Sequence, residues 1–232
     1  MHHLQHHENS FTTCPISFAP SDILLRLKAR PMVLSVQPGA TPDSKYVEDF
    51  IAGIYAQAYG ARIRVHYRAL MSIHDESGAI LAAVGFRQAD KDDLFLEQYL
   101  DQPVEDLLET PRRYIVEIGN LASLGGGESL FLFAALSAYL HSRGFTRAMV
   151  TGTAPLQRRL RRMGLRPRRH TVADPALLLH GDEDWGSYYE TQPYVLSGFI
   201  PQGHQRLQTM LGTQFPNRRP RLIPRLHCGQ EE

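Results

Sequence analysis

The stretch from Arg113 to Gly144, RYIVEIGNLASLGGGESLFLFAALSAYLHSRG, decides the fold of this chain. Its first part, Tyr114 to Leu121, is rich in apolar and β-branched side chains and predicts a buried strand. Three glycines at 125–127 free the backbone to turn sharply and to approach a ligand closely. The apolar run that follows predicts a buried helix, with Ser129 as its N-cap and Gly144 just beyond its C-cap.

A strand, a glycine loop and a helix N-terminus together predict an anion site. Free backbone N–H groups and the positive end of the helix dipole point at one spot in such an arrangement. We therefore predict that the loop binds a phosphate-bearing ligand, and a simple tight turn is the alternative. The predicted binding residues are Ala122, Ser123, Leu124, Gly125, Gly126 and Gly127.

Length and composition predict one soluble globular domain. The chain has 232 residues, of which 43% are hydrophobic and 21% charged. A formal net charge of +1 argues against a general nucleic-acid binder. No apolar run reaches the roughly 18 residues of a membrane span, and the N-terminus lacks an apolar signal core, so we expect a cytoplasmic protein. No metal-ligand spacing is present, and Cys14 and Cys228 are expected to be unpaired thiols, with a terminal bridge as the alternative.

Hydrophobic periodicity predicts an α/β fold whose sheet is antiparallel at the front and parallel at the centre. The parallel centre follows from the strand, helix and strand order across the opening stretch. Helices flank the sheet in a single domain at 31–200, with an N-terminal extension at 1–30 and an Arg/Pro-rich C-terminal extension at 201–232. Strands are predicted at 32–36, 67–74, 79–86, 114–121, 146–151, 168–173 and 192–200, and helices at 43–59, 128–143 and 155–163. Gly85 is expected to mark a bulge or a close backbone approach.

Four local motifs, in order, resemble the thermostable hemolysin family of bacterial proteins. They are LFLEQYLDQPVE at Leu94 to Glu105, VEIGNLAS at Val116 to Ser123, ADP at Ala173 to Pro175 and WGSYYETQP at Trp185 to Pro193. The element order is similar to that of the GNAT N-acyltransferase fold. The family is similar in architecture to the acyl-homoserine-lactone synthases, which take a fatty acyl group from acyl carrier protein.

The resemblance implies transfer of a fatty acyl group from a thioester to the amine of a small molecule such as an amino acid. It also implies that the glycine loop wraps the phosphopantetheine of the donor. Glu128 at the predicted helix start would repel the pyrophosphate of coenzyme A. We therefore expect acyl carrier protein as the donor, with acyl-CoA less favoured.

Glu117 and Tyr188 are the predicted catalytic residues. A partly buried carboxylate with a raised pKa suits a general base that deprotonates the amine, directly or through water. The alternative for Glu117 is an ordinary polar-face residue or an ion pair with Arg113. Tyr188 could protonate the leaving thiolate, while Trp185 and Tyr189 could wall the acyl pocket, and core or lid packing is the alternative for all three.

Glu97, Tyr99 and Asn120 are further candidates for substrate binding. Glu97 could recognise the amine of the acceptor, but LFLEQYL also fits an amphipathic core element. Asn120 could orient the loop or bind substrate, and structural capping is equally consistent with it.

An arginine patch follows the central stretch. It consists of Arg158, Arg159, Arg161, Arg162 and Arg166. Three- and four-residue spacing places several of these side chains on one helix face. We predict that the arginine patch docks the acidic surface of a carrier protein, with anionic lipid, RNA or plain solvation as alternatives.

The sequence therefore predicts a cytoplasmic N-acyltransferase that needs no metal. Two other functions stay open at this point. One is a membrane-active cytolysin, as the family name suggests, although no pore segment or secretion signal favours membrane contact. The other is a non-catalytic module that binds acyl chains or acidic proteins.

Overall fold

The computed structural model describes residues 2–8, 11–18, 33–125, 127–178 and 183–211, and within these ranges nine strands form one sheet. The strands are β1 His2–Glu8, β2 Phe11–Phe18, β3 Val33–Pro38, β4 Ala69–His74, β5 Ile80–Gln88, β6 Ile115–Ser123, β7 Arg147–Gly152, β8 Arg168–Val172 and β9 Tyr194–Phe199. The helices are α1 Lys45–Tyr59, α2 Val104–Leu108, α3 Glu128–Ser142, α4 Ala154–Arg162 and α5 Ile200–Leu211. Short 3-10 turns lie at Pro42–Ser44, Phe95–Tyr99, Arg112–Tyr114, Pro175–Leu177 and Tyr189–Thr191.

The strand order is β2-β1-β3-β4-β5-β6-β7-β9-β8. From β3 to β6 each strand pairs antiparallel with the next, and β6 pairs in parallel with β7. The predicted mixed sheet with an antiparallel front and a parallel centre is confirmed. The position of β9, between β7 and β8, was not readable from the sequence because both of its pairings join distant segments.

Helices cover both faces of the sheet. On one face α1 buries Val47, Ile51 and Tyr55 and ends at Gly60, which adopts φ +67°. On the other face α3 packs between the sheet and α5 and buries apolar side chains nearly all round. Burial of each such side chain is worth about 1.5–3 kcal/mol. The alternation of β6 places Glu117 and Gly119 on the α1 face.

The start of α3 corrects one prediction. Ser129 is not the N-cap, because the helix begins at Glu128 and Gly127 precedes it with φ +108°. Only glycine adopts that conformation without strain, so the turn itself fixes where the helix begins. Ser129 is buried instead, and its hydroxyl accepts a hydrogen bond from Arg159 Nη1 at 2.8 Å. Gly144 follows the C-cap Arg143 with φ +85°, as predicted.

Two glycines make room for a tyrosine ring that lies flat on the sheet. A Cβ at Gly85 would lie 2.5 Å from the Tyr67 ring, and one at Gly119 would lie 1.9 Å from the Tyr67 hydroxyl. Gly85 and Gly119 face each other across β5 and β6. The close backbone approach predicted at Gly85 is confirmed, and its cause is Tyr67.

Both ends of the chain contribute to the described fold. The N-terminal strands β1 and β2 form a hairpin, and β1 pairs in parallel with β3. Helix α5 begins at Ile200, at the predicted domain limit, and buries Leu207 and Leu211 against the core that contains α3. The domain limits at 31 and 200 stay predictions, and residues 19–32 and 212–232 lie outside the described ranges.

Candidate active site

The candidate site is organised around the point at which strands β6 and β7 separate, which we call the split. The two strands pair only from Ile115 to Ile118 and from Arg147 to Val150, and beyond that point each pairs only with its outer neighbour. The gap opens into a cleft of about 340 Å³. Its walls come from the ends of both strands and from α3, α4 and α5, and include Gly119, Asn120, Thr151, Phe133, Leu136, Leu140, Leu160 and Leu207.

A β-bulge at Asn120 turns β6 at the split. The pairing with β5 shifts between Ala83 and Gly85, so that Asn120 and Leu121 together oppose Val84. Asn120 has φ +49°, a left-handed conformation that asparagine tolerates better than most residues but that still costs energy. The Asn120 side chain lies beside the Tyr55 hydroxyl and works to lower its pKa. Strained backbone held by such contacts is common at functional sites.

Three tyrosine hydroxyls gather at the split. Tyr188 donates a hydrogen bond to the Thr151 carbonyl at 3.3 Å, and the hydroxyls of Tyr55 and Tyr59 lie beside the side chains of Asn120 and Thr153. Burial is the largest cause that raises the pKa of each of them above the ordinary 10. All three hydroxyls therefore stay protonated at neutral pH and can donate protons or hydrogen bonds.

A smaller pocket of about 50 Å³ opens onto the same split from the α1 face. It shares Tyr55, Ile118, Gly119, Asn120, Thr151 and Tyr188 with the cleft. Its other walls are both aromatic and charged, and are formed by Arg64, His66, Tyr67, Arg87, Phe95, Glu183, Trp185 and Tyr189. Two ligands, one on each side of the sheet, could therefore meet at Asn120 and Tyr188.

Glu117 lies behind the smaller pocket rather than in its wall. It is 1% exposed, and its carboxylate accepts hydrogen bonds from the N–H groups of Phe95 at 2.9 Å and Leu96 at 3.1 Å. Its charged partner is Arg87, with Nε 3.3 Å from Oε2, and not Arg113, which stacks on Tyr114. Burial raises the pKa of Glu117 to about 7, against the lowering effect of Arg87 and the two N–H groups.

Glu97 lies away from the split. Arg112 binds it through two nitrogens, at 2.6 Å and 3.0 Å, and the N–H groups of Leu94 and Val104 also donate to its carboxylate. Burial works to raise the pKa of Glu97, but these hydrogen bonds outweigh it and the pKa is lowered. Arg112 and these N–H groups thus hold Glu97 within the Phe95–Tyr99 turn. Glu97 lines neither the cleft nor the smaller pocket.

The predicted aromatic residues are brought together. Tyr99 and Tyr189 share a hydroxyl–hydroxyl hydrogen bond of 2.6 Å. The Trp185 ring contacts those of Phe95, Tyr188 and Tyr189 at centroid distances of 5.3–5.9 Å. Trp185, Tyr188 and Tyr189 line the smaller pocket, whereas Tyr99 supports Tyr189 from behind.

The described residues of the glycine loop lie at one side of the split and do not line it. Ala122 is buried in the core under α1, and Leu124 is 60% exposed. The N–H groups of Leu124 and Gly125 donate to the Leu81 carbonyl and the Ser123 hydroxyl. Gly126 lies outside the described residues, and Gly127 begins α3. The predicted role of this loop in binding phosphate stays a prediction.

The arginine patch borders the cleft. All five of its side chains are exposed, and Arg159 and Arg166 line the cleft together with Arg206. Within the described ranges, no carboxylate forms a salt bridge with any of the five. The described part of the chain also holds no group of three histidine, cysteine or acidic residues that could bind a metal ion.

Several site residues were not predicted. Sequence reasoning placed Tyr55 in an apolar helix stripe and did not select Tyr59, Tyr67, Arg87, Thr151 or Arg206. Of the sequence features near these residues, only Gly85 indicates the site, because a glycine in a strand indicates that another group lies against the backbone. The bulge at Asn120 has no sequence signal of its own.

Comparison with known proteins identifies the family and the fold. The family model described as thermostable hemolysin matches residues 37–204. The AHL synthase LasI is 14% identical with a TM-score of 0.52, and the match covers 80% of this chain and 98% of LasI. TofI in an apo form is 14% identical with a TM-score of 0.53, over 76% of this chain and 97% of that one. FeeM, an N-acyl amino acid synthase from uncultured soil microbes, is 10% identical with a TM-score of 0.47, over 75% and 95%.

No significant match to a curated protein was found by sequence. The identities above are low, so the structural matches establish a shared fold. The resemblance noted from the four sequence motifs, and the GNAT-like mixed sheet that it implied, are both confirmed.

Proposed function

The chain belongs to the thermostable hemolysin family, and from that premise and the geometry of its split sheet we propose that it is an N-acyltransferase. It transfers a fatty acyl group from a thioester to the amine of a small molecule. The observation that carries the proposal is the junction of two pockets at Asn120 and Tyr188. The larger, mostly apolar cleft suits an acyl-pantetheine chain, and the smaller pocket suits the amine.

The reaction forms one C–N bond and breaks one C–S bond. The amine attacks the thioester carbonyl at the split, and backbone N–H groups of the bulge at Asn120 stabilise the negative oxygen that develops. Tyr188, whose hydroxyl stays protonated, gives its proton to the departing thiolate. Glu117 accepts the proton of the amine through water, because its own oxygens do not reach the pocket wall. A pKa of about 7 suits this role.

We further propose acyl carrier protein as the preferred donor. Arg159, Arg166 and Arg206 line the cleft and offer cations to a phosphate, while the rest of the arginine patch faces outward. An acidic carrier protein would be steered by this surface. Acyl-CoA remains the alternative donor, since the same arginines also suit its phosphates, and we expect the reaction to take place in the cytoplasm.

The family description names a hemolysin, and a membrane-active cytolysin is the alternative function. None of the helices in the described part of the chain is long and apolar enough to cross a membrane.

The test is a direct assay of acyl transfer. Purified protein is incubated with acyl carrier protein or acyl-CoA thioesters and a panel of primary amines, and the products are identified by mass spectrometry. We expect at least one acyl amide. Failure of every donor and amine combination, with folded protein, would overturn the proposal.

The role of Tyr188 has its own prediction. Tyr188→Phe should lower kcat by about 100-fold or more with little change in KM, because proton transfer to the thiolate is lost while binding surface is kept. Tyr46→Phe is the matched control, since Tyr46 is 60% exposed on α1 and lines neither pocket. Equal kcat values for the two variants would contradict the assignment of Tyr188.

A further inference from the structure

The smaller pocket combines opposite charges with aromatic walls. Its charged lining residues are Arg64, Arg87 and Glu183, and His66 adds a titratable ring. Glu183 is held in place by the Arg64 N–H at 2.9 Å and by His66 Nε2 at 3.1 Å. A ligand that fits such a wall carries a negative group as well as a positive one.

Arg87 is the buried cation of this pocket. Its side chain is 13% exposed, and its guanidinium lies 4.4 Å from the centre of the Tyr67 ring. Nη1 donates to the Asp93 carbonyl at 3.3 Å. Nε lies 3.3 Å from Glu117 Oε2, but it is buried without a well-directed hydrogen bond. A guanidinium has five N–H donors, so these contacts leave donors for a ligand.

We propose, on the premise of the acyl transfer proposed above, that the acceptor is an amine that also carries a carboxylate, and that Arg87 binds this carboxylate. The planar fork of arginine matches a carboxylate through two parallel hydrogen bonds. Arg64 is exposed on the same wall, and water weakens its attraction, so Arg87 dominates the recognition. Glu183 supplies the charge that matches the ammonium group of the free amino acid.

Glu117 opposes binding of a carboxylate at Arg87, because its own negative charge lies beside that arginine. The N–H groups of Phe95 and Leu96 donate to its carboxylate and disperse part of that charge. Glu117 lies on the Nε side of Arg87, so the other guanidinium nitrogens are left to meet the carboxylate of the ligand while Glu117 stays the base.

Trp185 provides a binding assay that does not depend on turnover. It is the only tryptophan of the chain and lines the smaller pocket, so its fluorescence reports on the occupant. The probes are free α-amino acids, each paired with its own amide, which keeps the amine and the side chain but removes the negative charge. We expect at least one amino acid to bind about 10-fold or more tightly than its amide, which corresponds to about 1.4 kcal/mol or more.

Two variants assign that preference to Arg87. Arg87→Gln should abolish the preference for the acid over the amide, and Arg87→Lys should keep part of it, because the positive charge remains. Arg62→Gln is the control, since Arg62 is an exposed arginine near the pocket that pairs with Asp184 and does not line it. Unfolding curves establish that each variant is folded.

The inference is overturned if every amino acid binds no better than its amide, if none binds at all, or if Arg87→Gln keeps the preference. Its failure is distinguishable from failure of the proposed function. Acylation of amines with and without a carboxylate at equal kcat/KM would sustain acyl transfer and overturn the role of Arg87. An Arg87-dependent preference in binding, without any acylated product, would sustain the role of Arg87 and overturn acyl transfer.

Discussion

Tyr67 shows how much one residue constrains this site. Its ring occupies the space above Gly85 and Gly119, and its hydroxyl reaches Arg87, which in turn contacts Glu117. The ring is buried. Glycine is therefore needed at both positions because a Cβ would meet Tyr67. The backbone does not require it, since neither residue has a positive φ.

Gly119→Ala tests this packing. A Cβ would lie 1.9 Å from the Tyr67 hydroxyl and 2.6 Å from its ring, so we expect a loss of about 1–3 kcal/mol in the free energy of unfolding. Gly198→Ala is the control on β9, where a Cβ would meet nothing within 4 Å. Denaturant unfolding measures both variants, and equal losses would contradict the account of Tyr67.

Glu117 predicts a pH dependence of stability. Its pKa rises from 4.5 in the unfolded chain to about 7 in the fold, mainly through burial. The folded state therefore holds the proton more tightly, and the contribution of Glu117 to the free energy of unfolding falls as pH rises from about 4.5 to 7. The fall is at most about 3 kcal/mol, at 1.36 kcal/mol for each unit.

The measurement is denaturant unfolding of the wild-type protein and Glu117→Gln between pH 5 and pH 8. Glutamine does not titrate, so the wild-type protein should lose more stability than the variant across this window. Parallel curves for the two proteins would show that Glu117 keeps an ordinary pKa.

At the scale of elements, the split between β6 and β7 creates the cleft, and α3 forms one wall of it. Ser137 on α3 lines the cleft and is half-buried. Ser137→Trp should fill part of this space. If the cleft holds the acyl chain, kcat/KM for a decanoyl donor should fall at least about tenfold, or 1.4 kcal/mol, relative to an acetyl donor.

Ser142→Trp is the control for this prediction. Ser142 lies at the exposed end of the same helix and does not line the cleft. The assay compares kcat/KM for donors of increasing chain length in both variants. An unchanged chain-length profile in folded Ser137→Trp would place the acyl chain elsewhere.

At the scale of the whole molecule, charge is distributed unevenly. The formal net charge is only +1, but the arginine patch gathers five exposed cations beside the cleft. Reversal of Arg158, Arg161 and Arg162 to glutamate should raise KM for an acyl carrier protein donor far more than for an acyl-CoA donor. None of these three side chains lines the cleft, so the site itself stays intact.

Salt provides the check on this docking prediction. KM for the carrier-protein donor should rise with ionic strength in the wild-type protein and depend less on salt in the triple variant, because screening acts on exposed charges. Equal effects of the three substitutions on both donors would contradict docking through the arginine patch.

The sequence alone determined the element order, the family and the parallel centre of the sheet. These features depend on local periodicity, turn residues and the right-handed crossover rule, all of which act over short stretches of chain. It also selected Asn120, Trp185, Tyr188 and Tyr189, which the fold brings to the split. The sequence also selected Glu97, which Arg112 holds away from the split, because no local pattern distinguishes it from the residues that line the pockets.

Only the tertiary structure decided what the central stretch does. The bulge at Asn120, the partnership of Glu117 with Arg87, and the meeting of two pockets at Tyr188 all join segments far apart in the chain. Such contacts depend on the register of paired strands and on the packing of buried side chains, which no local pattern encodes. The described residues of the glycine loop lie beside the split, and it is Asn120, in the strand before the loop, that lines both pockets.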